Sequence, residues 1–290
     1  MMIAEDVVNL LIVGVTLGGM YAIMALGLSF VYGVTKIFNY AQGAFFTWAG
    51  YIAWMLLDRF DLNYAAVVII TVPVMFLFGL GYEKALMYPL RRLPNWEINV
   101  IIVSLGSALL LGALAFALFH VAPKRLPYLV EGSFTLYGFL ITRHDVVTLV
   151  VTLAIVCLLV LFLGKVREGM AMRALAQDMT GARIVGIPTD RVYGYTFGIA
   201  AALAGISGIL LAPKVLIHPE VGWLVFVRAF VIVVFGGLGS FKGTVVAAFI
   251  LAMIEAFVTF YLGGVWGIPM FILVLIIVLV IRPRGLFGTW

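Results

Sequence analysis

The chain has 290 residues, 65% of them hydrophobic and 11% charged, with a formal charge of +5. An average soluble domain is about 45–50% apolar and about 25% charged, so composition excludes a soluble enzyme and points to an all-α, polytopic membrane helix bundle. No polar stretch exceeds about 30 residues, which leaves no room for a soluble catalytic domain, and residues 1–290 read as a single transmembrane domain.

A spanning helix needs about 20 apolar residues. Nine segments approach that measure, at about 7–33, 39–57, 64–82, 97–119, 146–164, 192–213, 223–237, 244–262 and 266–281. The seventh and ninth are short and the first is long and glycine-rich, so eight to ten helices are expected. The opening MMIAED has no basic run and no small-residue cleavage site, which marks the first segment as a retained span. Between the first two spans lies Thr35–Gly43 (TKIFNYAQG), where Asn39 is placed to cap the next helix and Asn39 and Gln42 are candidates for the inner end of a pathway. Residues 120–145 form the largest connector on their side, and Phe134–Ile141 within it reads as a short strand or hairpin.

Gly164–Arg191 is the longest polar interruption. Met172, Leu175, Ala176 and Met179 recur at helical spacing as one apolar stripe, with Arg173, Gln177 and Thr180 opposite and Gly181 as the expected stop. Such an amphipathic helix either lies on its own membrane surface or sets its apolar face into a partner's groove. Further along, Gly14 with Gly18, Ala201 with Gly205 and Ala204 with Gly208 are spaced for close helix crossings. Glu255 sits in the middle of an apolar run, where a carboxylate must face protein or water. Arg228 is its candidate partner, and a pathway role predicts that Glu255→Gln alters transport.

Metal and catalytic motifs are absent from the sequence. Cys157 stands alone and reads as a packing residue, while His120, His144 and His218 are far apart and read as interfacial. Gly236–Thr244 (GGLGSFKGT) fails the phosphate-loop spacing because Gly243 follows Lys242. Placing the 164–191 loop in the cytoplasm puts twelve of the eighteen Lys and Arg on that side, so the expected orientation is N-terminus out and C-terminus in.

Four stretches carry a resemblance. Gly18–Gly50, Arg167–Arg191, Val233–Gly243 and Arg282–Gly288 are similar, in this order, to the signatures of LivH-type permease subunits of bacterial ABC importers for branched-chain amino acids. The resemblance implies the ABC importer permease architecture in a bacterial cytoplasmic (inner) membrane. It implies as partners a second, LivM-like permease chain, two ABC ATPase subunits and an extracytoplasmic solute-binding protein. The 164–191 loop would be the coupling element, with Arg173, Ala174, Leu175, Asp178 and Gly186 at the ATPase contact; no cofactor, metal or nucleic acid is implied. Where the family reads N-[FY]-A-H-G-E, this chain has Asn39-Tyr40-Ala41-Gln42-Gly43-Ala44, which leaves a related small polar or carboxylate solute open as substrate. The competing reading is an ion-coupled secondary transporter built on Glu255.

Overall fold

In a bilayer each backbone amide must be satisfied within the protein, and apolar runs therefore become helices. The computed structural model describes residues 2–136 and 139–288. In chain order these are α1 (Met2–Thr35), α2 (Gln42–Asp58), α3 (Tyr64–Tyr82), a π-helical turn (Glu83–Met87), α4 (Tyr88–Leu90) and α5 (Trp96–Phe119). Strands β1 (Ser133–Leu136) and β2 (Phe139–Thr142) follow, then α6 (Arg143–Lys165), α7 (Arg167–Gln177) and α8 (Met179–Ile184). The chain finishes with α9 (Thr189–Leu211), α10 (Val221–Gly236), α11 (Phe241–Leu262), a 3-10 turn (Gly264–Trp266) and α12 (Gly267–Ile281). The expected hairpin is present: β1 pairs antiparallel with β2, from Ser133 opposite Thr142 to Leu136 opposite Phe139.

Each of the nine apolar segments holds one helix. Among the described residues seven helical stretches are long and apolar enough to cross a membrane. The exceptions are α2 and α10, of 17 and 16 residues. Their packing explains the shortfall. The Gln42 Nε2 donates to the carbonyl of Ala200 at 2.8 Å, and Ala200 is the twelfth residue of the 23 in α9. Helix α2 thus begins level with the middle of α9. Gly43 meets Gly222 so closely that a Cβ on either would overlap the other's backbone, so α10 begins beside the start of α2. After α1 the chain reverses at Lys36, which has a positive φ of 62°, and folds back into the bundle before α2 starts.

Helices α1 and α9 form the centre. Gly14 and Gly18 let α1 lie against Met253 and Phe249 of α11, and Gly198, Gly205 and Gly208 let α9 lie against α3 and α2. Helices α3, α5, α6 and α12 are peripheral and present apolar surface outward, including Leu77, Leu110, Leu158 and Val280, as helices facing lipid tails do. Cys157, read from the sequence as a packing residue, is exposed on that surface.

Other expectations change at the polar interruptions. The helix expected to run from Met172 to Gly181 is two helices, because Asp178 adopts an extended conformation and its carboxylate accepts from Thr180 N at 2.9 Å, starting α8 afresh. The chain turns instead at Gly186, with a φ of +83°. Asn39 does not cap α2 directly. Ala41 holds that position, and the Asn39 Oδ1 accepts from Ala41 N at 3.1 Å to shape the preceding turn. His144 is fully buried rather than interfacial: Leu129 N donates to its Nδ1 at 3.3 Å, and its Nε2 lies 3.0 Å from the Leu210 carbonyl.

Candidate functional site

The two short helices leave a groove in the bundle. Where α2 and α10 start inside it beside α5, they line a cavity of ≈ 680 Å³. Its floor is the face of Tyr40, Gly43, Ala44, Thr47 and Trp48, which recur at helical spacing, and α5 supplies an apolar wall that includes Leu105, Ala108, Leu109 and Gly112. The third side is the approach to α10, with His218, Pro219, Glu220 and Trp223.

Thr47 ties this arrangement together. A helix start leaves backbone N–H groups without intrahelical partners, and Glu220, in the N-cap position of α10, makes no side-chain cap bond. The Thr47 hydroxyl oxygen accepts from Gly222 N at 3.0 Å instead, so α10 is capped by a residue of α2. The Glu220 carboxylate is left exposed at the groove.

None of the three pathway residues expected from the sequence lines this groove. Asn39 and Gln42 are buried on the other side of the same turn. Tyr82 OH lies 2.7 Å from the Ser107 hydroxyl and donates toward the Asn39 Oδ1 at 3.4 Å, which fastens the re-entrant turn to α3 and α5. Glu255 is buried, and both Nε and Nη2 of Arg228 donate to its Oε1, at 3.1 and 2.9 Å. With Gly267 close to the same oxygen, this pair joins α10, α11 and the start of α12. The partner foreseen for Glu255 is thus correct. Sequence reasoning missed Thr47, Glu220 and Tyr40. The available signal was the helical face containing Gly43, which lies next to the one chosen.

At the opposite end from the hairpin, the four signature stretches converge. Met172 and Leu175 of α7 pack with Phe30 and Val34 of α1, Leu163 of α6, and Val192 and Tyr193 of α9. Gly33 meets Gly239, and the C-terminal tail bonds back on the end of α10 through Leu286 N to Phe235 O at 2.8 Å and Phe287 N to Gly236 O at 3.1 Å. Arg91, following α4, pairs with Glu83 at 2.6 Å and Asp190 at 3.4 Å and sits over the Tyr193 ring. The apolar stripe of α7 is therefore consumed by its own bundle, with Leu175 only 2% exposed. What projects is the end of α8 and the turn after it: Ile184 is 81% and Val185 75% exposed, flanked by exposed Arg183 and Gly186. Arg173 and Asp178 are exposed and Ala174 half-buried.

A bundle of this build, with a groove between two short helices and a compact platform at the other end, is that of a multi-pass membrane permease. Residues 10–281 match the family model described as the branched-chain amino acid transport system permease component. The chain is 30% identical to the permease protein BraD of Pseudomonas aeruginosa, over 96% of this chain and 94% of that protein. It is also 30% identical to LivH of Escherichia coli, over 95% and 93%, and 24% identical to LivM of the same organism, over 93% and 68%. All three are named as high-affinity branched-chain amino acid transport system permeases. Among solved structures, PsaBC from Streptococcus pneumoniae in complex with Fab shares the fold, with a TM-score of 0.52 at 15% identity over 95% of this chain and 91% of that one. The chain belongs to the branched-chain amino acid permease family.

Proposed function

We propose that this permease is one half of an ATP-driven importer for aliphatic amino acids in a bacterial inner membrane, working beside a second, LivM-like permease chain. Substrate arrives from a solute-binding protein at the hairpin end, and two ATPase subunits dock at the α7–α8 end, which faces the cytoplasm. The distribution of Lys and Arg supports that orientation. The N-terminus then lies outside and the C-terminus inside. ATP hydrolysis belongs to the partner subunits, and this chain transmits its force.

The observation that carries the docking role is the projecting turn at Ile184 and Val185. Two adjacent bulky aliphatic side chains exposed on a polar loop offer apolar surface to a partner. They rest on a helix pair that is itself rigidly packed against α1, α6 and α9. Movement of that turn therefore moves three spanning helices. Arg173, Ala174, Asp178 and Gly186 flank the contact, and Leu175 supports it from inside. The test is purification of the transporter from its native membrane, comparing the normal chain with Ile184→Glu. ATPase subunits should accompany the normal chain and be lost from the variant, with the second permease retained in both. Retention of the ATPases by Ile184→Glu would remove this turn from the contact.

A further inference from the structure

The groove has one feature that an apolar lipid-facing recess would not tolerate. Glu220 lies between Ile217, which packs on Gly50, and Gly222, which packs on Gly43 and Thr47. At 1.5 Å per residue along α2, this places it about 12–22 Å short of the far end of that helix at Asp58. It is exposed and makes no ion pair with the described residues. A carboxylate at such depth faces a watery cavity or a partner group, because hydrocarbon does not solvate it. Its neighbours around the cavity are Leu105, Ala108, Leu109 and Gly112 on one side, and the His218 ring and Tyr40 hydroxyl, each without a hydrogen bond to the described residues, on the other.

We infer that this groove is the chain's wall of the translocation pathway and that Glu220 receives the ammonium group of a zwitterionic amino acid whose aliphatic side chain runs along α5. The inference rests on the importer reading and adds to it the recognising residue. The charge has the right sign for an ammonium, and the α5 wall is wholly aliphatic where it faces the cavity at Leu105, Ala108 and Leu109. The position suits a transient contact: Glu220 stands on the approach to α10, whose first turn is held by Thr47 of α2. A relative shift of α2 and α10 would carry the carboxylate with it.

The experiment uses the complete transporter in proteoliposomes, with labelled L-leucine, the solute-binding protein outside and ATP inside. Loss of ATP dependence in the unmodified transporter would overturn the importer reading itself. Given ATP-dependent uptake, Glu220→Gln should lower it by about tenfold or more, as loss of a charge-assisted contact does, while Glu220→Asp retains most of it and all subunits stay assembled. In a Cys157→Ser background, the Glu220→Cys variant should react with a charged, membrane-impermeant thiol reagent. In the same background a Leu109→Cys variant, which lines the groove and keeps Glu220, should be protected from the reagent by L-leucine and not by 4-methylpentanoate, which lacks the ammonium. A Leu153→Cys variant on the outer face of α6 should stay unreactive. Full uptake by Glu220→Gln, an unreactive Glu220→Cys variant, equal protection by both probes, or loss of the second permease from Glu220→Gln would each overturn the assignment, the last making Glu220 a subunit contact.

Discussion

Two carboxylates flank helix α10, and they have opposite fates. Glu255 stands in an unbroken apolar run, is 4% exposed and is held by Arg228 through two hydrogen bonds to one oxygen. Glu220 stands in a connector of unremarkable polarity, yet the connector descends into the bundle and leaves the carboxylate open to a cavity. The comparison shows that an apolar sequence context measures how much a charge costs, not what it does. A charge that is expensive to bury is often there because it has a partner that makes it inert. A charge that looks ordinary becomes consequential when the fold carries it to a depth where its surroundings should be apolar.

The contrast can be broken most forcefully at the closed site. Removing Arg228 as Arg228→Ala leaves Glu255 buried without its cation, which should destabilise the chain by about 3–5 kcal/mol and lower its unfolding temperature in detergent. Glu255→Gln, which neutralises the other member, should be milder and leave leucine uptake near normal once expression is matched. If instead Glu255→Gln cut uptake as deeply as Glu220→Gln, the two carboxylates would share the pathway and the ion-coupled reading would return. Next in size is Gly222→Ala. The added methyl overlaps the Gly43 carbonyl and the Thr47 hydroxyl, and overpacking of this kind costs about 1–3 kcal/mol. It should separate α2 from α10, widen the groove and lower both thermal stability and uptake. The smallest effect belongs to Thr47→Val, which keeps the shape of the side chain and removes the cap on Gly222 N. A loss of about 1 kcal/mol is expected. Uptake should fall further than that alone implies, since the start of α10 carries Glu220. An unchanged unfolding temperature would show that the cap between helices contributes nothing.

The two ends of the molecule teach a similar lesson about apolar stripes. The periodicity of Met172, Leu175, Ala176 and Met179 was visible in the sequence, and a helix is there. Whether such a stripe faces a partner or its own bundle is undetermined by periodicity, because both burials satisfy the same pattern. Packing against Phe30, Val34 and Tyr193 decides it, and moves the projecting surface to Ile184 and Val185, which have no periodic signature at all. The break at Asp178 was equally hidden, since an Asp within a helical pattern ends a helix only if the next segment turns away to use its carboxylate as a cap.

By itself the sequence determined the membrane class, the nine apolar segments and the permease family, and offered a short strand or hairpin between the fourth and fifth segments and Arg228 as a candidate partner for Glu255, because hydropathy, the sign of charge and linear signatures are properties of the chain alone. Only the tertiary structure decided that α2 and α10 begin inside the bundle, that His144 is a core residue, that Asn39 and Gln42 lie behind the groove between these helices, and that Glu220 lines it. The physical reason is depth. A residue's position along the membrane normal depends on where the chain reverses, as at Lys36 with its φ of 62°, and on how closely backbones approach, as at Gly43 and Gly222. Neither quantity is written in the hydropathy of the residues whose surroundings it sets.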